Sequence, residues 1–300
     1  MNGVINVNKP LGVTSHDVVY RLRKMLSIKK IGHTGTLDPD ASGVLPMCIG
    51  RATKVADMLT AQDKQYIAEV TLGSATDTLD KSGVVTETAD VNVSNEDIKA
   101  VVHEFIGDIE QIPPMYSAIK IDGKKLYELA REGKEVERAS RKVRIDNIEL
   151  LEIDLENKRF TMKVDCSKGT YIRTLCDDIG RRLGCFAHMS ALERTKSGRF
   201  DISKAYTLEE IEEMYLCGDL SFFVPVDVVF EEYPRLIINA RKAHKMCNGT
   251  RVAVQGIDEG EVYRVYDESG NFLTISQAEN GLLKILKTFY QTIGKNDSET

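Results

Sequence analysis

No stretch of the 300-residue sequence is apolar for long enough to cross a bilayer, and its longest hydrophobic candidates are cut by charges. The opening, Met1 to Lys9, carries neither the charged start nor the apolar stretch of a signal peptide, so the cytoplasm is the expected location. The six cysteines (Cys48, Cys166, Cys176, Cys185, Cys217 and Cys247) form no CxxC pair and no metal-ligand spacing. In a reducing compartment they read as small buried residues or free thiols, and no metal is expected. A phosphate-binding loop, an internal repeat and a low-complexity segment are also missing, so no cofactor is expected.

Net basic charge is absent as well: 40 Lys and Arg stand against 46 Asp and Glu, a formal net charge of −6. That sum argues weakly against nucleic acid, but the distribution of charge matters more than its total. Residues 1–60 hold eight basic against four acidic side chains, whereas 201–300 hold ten basic against seventeen acidic. Two further basic clusters run from Lys120 to Arg144 and from Arg194 to Arg199. Taken alone, each reads as a solvated face or as a surface for RNA phosphates.

What is present is the composition of a globular protein, 42% hydrophobic and 29% charged, with length for one large domain and a smaller one. Thr14 and Ser15 can cap a helix whose apolar face is Val18, Leu22, Met25 and Leu26. A Gly- and Pro-rich loop is expected from Ile31 to Gly50, then a short helix through Ala52, Val55, Ala56 and Leu59. Tyr66 to Leu72 alternates as a half-buried strand, and Ser94 with Asp97 resembles a capping box. Ile119 to Arg144, polar and basic with a turn at Asp122-Gly123, reads as an excursion from the core, about 119–145.

Val143 to Ile153 and Phe160 to Cys166 read as paired strands. A helix marked by Ile172, Leu175, Ile179 and Leu183 follows and stops at Gly184. Strands and helices that alternate without a βαβ rhythm indicate an α+β domain over residues 1–230, with a mixed or antiparallel sheet core and flanking helices. Over 231–292 only short strands are expected, enough for a small barrel or sandwich; residues 293–300 are expected to be a disordered tail.

The stretch from Gly32 to Pro46 stands out chemically. Its glycines at 32, 35 and 43 permit tight paths, and Pro39 and Pro46 stiffen it. Asp38 follows Leu37, an apolar wedge that can seat the carboxylate in a partly desolvated pocket, as a nucleophile or general base. Asp-Pro is equally a common way to start a turn. Arg173 lies in the first turn of its helix, where the dipole disfavours a cation, so an anionic partner elsewhere would explain it. An exposed arginine is the plain alternative. Tyr66 can stack on an unpaired base or pack in the core. His33 can orient a substrate, insert into RNA or cap the loop.

Taken in order, these segments resemble the tRNA pseudouridine-55 synthases of the TruB type. The resemblance opens at Asn8-Lys9-Pro10-Leu11-Gly12-Val13-Thr14-Ser15 and continues through Gly32-His33-Thr34-Gly35-Thr36-Leu37-Asp38-Pro39. Lys64-Gln65-Tyr66, Gln111-Ile112-Pro113-Pro114-Met115-Tyr116-Ser117-Ala118 and Cys166-Ser167-Lys168-Gly169-Thr170-Tyr171-Ile172-Arg173 extend it. Leu192-Glu193-Arg194-Thr195-Lys196-Ser197-Gly198 completes the set over roughly residues 3–200. The final strands resemble a PUA-type RNA-binding module by position and strand count.

The resemblance implies a pseudouridine-synthase fold and a uridine isomerisation in the T-loop of tRNA, with Asp38 as nucleophile and no cofactor. Arg173 would hold Asp38 ionised, Tyr66 would stack on the base, and Leu192 would close an apolar wall. His33 would occupy the space that the extruded base leaves. Lys9, Lys64 and Tyr171, standing in the matched motifs, are implied substrate contacts. Lys124, Lys125 and Arg131 of the basic excursion would grip the T-arm, and the C-terminal module would touch the acceptor end. A monomer without an obligate protein partner is the expected state. The alternatives are the catalytic subunit of an RNA-guided complex, a non-enzymatic tRNA-binding or chaperone protein, and a base-excising glycosylase.

Overall fold

Two almost fully buried segments, Gly3–Lys9 and Ala41–Ile49, pair antiparallel one strand in from the edge of a ten-stranded sheet. The computed structural model describes residues 1–117, 119–121 and 123–290. The expected tail therefore lies outside the described residues, as does Asp122 of the expected turn. From one edge the sheet runs Phe223–Pro225, Gly3–Lys9, Ala41–Ile49, Ala187–Ser197, Lys64–Leu72, Arg159–Cys166, Arg141–Asp154 and Gly107–Gln111. Ile31–His33 and Phe200–Asp201 add short pairings to its interior strands.

Alternation in the two apolar segments divides their side chains between two cores. Ile5, Val7, Leu45, Met47 and Ile49 enter one core with Val18 and Leu22 of the Ser15–Leu26 helix and Leu175 and Ile179 of the Ile172–Arg182 helix. Ile98 and Ile211, from helices Asn95–Glu104 and Leu208–Leu216, join the same core. Val4, Val44 and Cys48 point the other way, against Val55, Leu59, Phe230 and Ile275. Thr14, Ser94 and Thr207 each close a capping box, so three of these helices start where side-chain oxygens satisfy free backbone N–H groups.

Every pairing in this large sheet is antiparallel except one. Leu192, Glu193 and Arg194 run parallel to Ala41, Ser42 and Gly43. Here the chain lies so close that a Cβ added to Gly43, whose φ is +104°, would stand 2.3 Å from the Arg194 carbonyl oxygen. Only glycine lets both backbones meet at this point.

The C-terminal unit is a five-stranded sheet ordered Arg235–Ile238, Val262–Asp267, Phe272–Glu279, Leu282–Thr288 and Val252–Ala253. No pairing joins its two edges among the described residues, so it is a half-barrel of the PUA-like kind. Ile275 enters the second core of the large domain. Arg51 donates to the carbonyls of Phe289 and Tyr290, both at 2.8 Å, and Lys287 pairs with Asp57.

Several sequence expectations need correcting. The expected loop from Ile31 to Gly50 contains the Ile31–His33 and Ala41–Ile49 strands, and only Thr34 to Asp40 remains irregular. Gly43 and Pro46 disguised a strand that is buried on both faces and so shows no alternation. Short strands alone were expected in the C-terminal unit, yet Ala240–Cys247 is a helix capped by Asn239. The basic excursion ends sooner than 145, because Arg141–Asp154 is already a strand paired with Gly107–Gln111. Arg194 belongs to no basic surface cluster; it is 1% exposed.

Gly43→Ala should cost at least about 2 kcal/mol of unfolding free energy, because it combines a strained φ with a backbone clash. Denaturant unfolding measures this. A cost under about 0.5 kcal/mol, the size of an ordinary surface substitution, would show that the parallel contact can shift freely.

Candidate active site

Asp38 sits on the Thr34–Asp40 segment, which the start of the first helix pins in place. Ser15 Oγ donates to the Leu37 carbonyl at 3.0 Å and accepts from the Leu37 N–H at 2.8 Å. Leu37 itself is buried, the wedge its position suggested. Beneath the segment Lys9 is fully buried, and its ammonium donates to the carbonyls of Val13 at 2.7 Å and Pro10 at 2.9 Å. Burial pushes the Lys9 pKa down to about 8, against the opposing pull of Asp38 and Asp40. Lys9 thus braces the loop from behind and does not line the cleft.

Arg173 organises the acids. One guanidinium nitrogen stands 3.1 Å from Asp38 Oδ2, and the other donates to Asp80 Oδ2 at 3.2 Å. The same group donates to the carbonyls of Tyr116 at 2.9 Å and Thr78 at 3.2 Å. All this fixes a side chain that is only 8% exposed. Asp80, which sequence reading missed, accepts from the hydroxyls of Ser82 and Thr78 and from the Ser82 N–H at 3.0 Å. Burial works to raise its pKa, but those bonds and Arg173 outweigh burial and hold it below the ordinary value.

Asp38 is the opposite case. Its carboxylate is 44% exposed to the cleft, yet surrounding protein displaces enough water to push its pKa up. Arg173 opposes that rise, and the negative charge of Asp80 adds to it. One carboxylate is locked and ionised, while the other is poised, reachable and short of hydrogen bonds. That division suits an attacking group and its support.

Tyr66 and Leu192 form walls of a cleft of about 960 Å³ that also contains Asp38, Asp80 and Arg173. The parallel contact brings Leu192 beside Ala41, and the antiparallel ladder sets Arg194 opposite Tyr66. Burial raises the Tyr66 pKa, and the nearby Arg194 cation opposes it. Arg194, a second residue missed in the sequence, donates from Nε to the Val44 carbonyl at 2.7 Å. Lys64 also lines the cleft; its ammonium donates to the carbonyls of Thr60 and Gln62, and burial lowers its pKa to about 8.

Tyr171 and Arg131 reach the rim of the cleft, together with Tyr127, Arg141 and Lys168. Lys124 and Lys125 lie outside its lining: Lys124 faces Glu132 at 3.5 Å and Lys125 lies over the Tyr127 ring. His33 is half-buried at the end of the Ile31–His33 strand and does not line the cleft, with its Nδ1 buried and unpartnered. Among the described residues no group of His, Cys, Asp and Glu is arranged to hold a metal, and no helix is long and apolar enough to cross a membrane.

Fold and cleft together define an enzyme site centred on a carboxylate and rimmed by arginine, lysine and tyrosine. Residues 23–172 match the TruB family pseudouridylate synthase N-terminal domain, and residues 173–222 match the tRNA pseudouridylate synthase B C-terminal domain. Residues 234–284 match the C-terminal domain of pseudouridine synthase II TruB. Proteins named tRNA pseudouridine synthase B from Bacillus cytotoxicus and Bacillus subtilis are 46% and 45% identical to this chain. Those alignments cover 96% and 97% of this chain, and 97% and 98% of the relatives. A solved structure described as a Cbf5-Nop10-Gar1 complex contains a chain with a TM-score of 0.74 at 30% identity, over 96% of this chain and 85% of that one. The chain belongs to the TruB family of pseudouridylate synthases.

Two substitutions should move the Asp38 titration in opposite directions. Arg173→Gln removes the cation that opposes burial, so the Asp38 pKa climbs further; Asp80→Asn removes a like charge, so it falls. Carboxyl titration by NMR with labelled aspartate reads both. Shifts of the same sign in the two variants would refute the division of roles. Asp80→Asn should also slow catalysis roughly 10–100-fold through a loosened guanidinium, with substrate affinity little changed.

Proposed function

We propose that this protein isomerises uridine to pseudouridine at position 55, in the T-loop of tRNA. The observation that carries the reading is Asp38 held at 3.1 Å by Arg173 on the floor of an open cleft whose walls are Tyr66 and Leu192. Curated relatives named for tRNA pseudouridine synthesis, similar over nearly the whole chain, support tRNA as the substrate.

In this reading the target nucleotide is extruded from the folded RNA, and Asp38 attacks it. The bond between N1 and the ribose breaks, uracil turns within the pocket, a bond from C5 to the ribose forms, and the bond made by Asp38 breaks to return its free carboxylate. The C5 hydrogen leaves to water and N1 gains a proton, so the RNA keeps its composition. Tyr66 stacks on the base and assists removal of the C5 proton, while Leu192 closes the apolar wall. His33 fills the space left in the RNA. Lys64, Tyr171 and Arg131 contact the nucleotide and its neighbours at the cleft, and Lys124 and Lys125 extend the grip along the T-arm. The C-terminal half-barrel touches the acceptor end.

Tritium release from a transcript labelled at C5 of uridine tests the reaction. Wild type should release close to one equivalent per tRNA, and Asp38→Ala none, while the variant binds tRNA as wild type does. Normal release by Asp38→Ala would remove the nucleophile assignment. Tight binding without release by wild type would favour a binding protein, and loss of a base in the RNA mass would favour a glycosylase.

Neutralising Lys124, Lys125 and Arg131 together should weaken tRNA binding and flatten its dependence on salt, because each phosphate contact releases counterions. An unchanged slope would take this segment out of the RNA interface.

A further inference from the structure

Arg141 opens its strand at the rim of the cleft, opposite Gln111 in the ladder. Its guanidinium lies over the Tyr171 ring, 4.7 Å from the centroid. Gln111 holds the same tyrosine by its backbone: the Tyr171 N–H donates to Gln111 Oε1 at 3.0 Å, and Gln111 Nε2 donates to the Tyr171 carbonyl at 3.2 Å. Tyr171 is therefore a fixed platform, and the Arg141 guanidinium sits over its ring.

The donors of Arg141 are nonetheless unused. Its Nε and Nη2 are buried without a hydrogen-bond partner, and no carboxylate stands within ion-pair distance among the described residues. Arg144 of the same strand, by contrast, is paired with Asp146. A half-buried guanidinium with two buried donors unanswered is costly unless a ligand completes it. Its planar fork matches the two free oxygens of a phosphodiester. A neutral base edge would leave the charge uncompensated; a phosphate compensates it. Lys168 and Arg131 on the same rim add to the positive field.

We propose that Arg141, held over the Tyr171 ring, receives a single backbone phosphate of the RNA beside the extruded nucleotide. The inference rests on the RNA-modifying reading of the cleft. It makes Arg141 a binding residue that sets where the strand enters, and it gives a role to a rim arginine that has no acid partner among the described residues.

A T-arm stem-loop in which single phosphates near the target uridine are replaced in turn by neutral methylphosphonates tests this. At one linkage, replacement should weaken binding by wild type about tenfold and leave binding by Arg141→Ala unchanged. Arg141→Ala should also show a salt dependence shallower by about one phosphate. Arg141→Lys keeps the charge but not the fork, so it should keep the wild-type salt slope and lose most of the penalty at that linkage. This second variant carries the cycle if the alanine protein does not fold. Equal penalties in wild type and variants at every linkage would overturn the proposal, as would coupling to a base substitution in place of a phosphate. Because binding is read apart from tritium release, coupling without release by wild type would count against the functional reading and leave this contact standing.

Discussion

The arrangement depends on one buried guanidinium shared between two carboxylates. Arg173 sits in the first turn of a helix, where the backbone dipole repels a cation, and in a place from which water is largely excluded. It stays there because Asp80 and Asp38 supply negative charge and two backbone carbonyls take its remaining donors. The two acids compete for a single positive charge. Hydrogen bonds from Ser82 and Thr78 decide the contest for Asp80, and Asp38 is left the less satisfied partner. The raised pKa of Asp38 thus comes first from burial and then from sharing Arg173 with a better-satisfied neighbour.

The second constraint is steric. Asp38, Tyr66, Arg173 and Leu192 come from four separate segments, and the strand Ala187–Ser197 brings three of these segments together. Its parallel contact with Ala41–Gly43 places Leu192 just beyond the Asp38 loop, and its antiparallel pairing with Lys64–Leu72 places Tyr66 alongside. Gly43 allows the approach because a side chain there would meet the Arg194 backbone. Arg194 then turns inward to the Val44 carbonyl, so one short stretch both closes the sheet and forms the cleft wall.

The sheet also divides the labour of the molecule. One core carries the helix that bears Arg173 and the helix that pins the Asp38 loop, and the other fastens the C-terminal half-barrel through Ile275, Phe230 and the bonds of Arg51. A formal charge of −6 is compatible with an RNA substrate because the rim of the cleft is locally basic, while many acids lie in the last hundred residues. Two cations of the rim, Arg131 and Arg141, lie over the rings of Tyr127 and Tyr171.

How much of this was legible beforehand follows from the range of each interaction. Local signals were readable: Thr14, Ser94 and the apolar face at Ile172, Leu175 and Ile179 mark their helices because caps and periodicity act within a few residues. The ordered motifs around Asp38, Tyr66, Arg173 and Leu192 were enough to point to the family and to the chemistry. The strand Ala41–Ile49 was not readable, since burial on both faces erases alternation and its glycine and proline imitate a loop. Asp80 and Arg141 gave no local sign either; an aspartate in a turn and an arginine in a basic run look like solvated residues. Long-range pairing alone turned one into the clamp of Arg173 and left the other with two buried donors unpartnered. Sequence determined which chemical groups are available, because side-chain identity is a local property. Tertiary structure decided which carboxylate is satisfied and which is free, because desolvation and charge sharing depend on neighbours a hundred residues away.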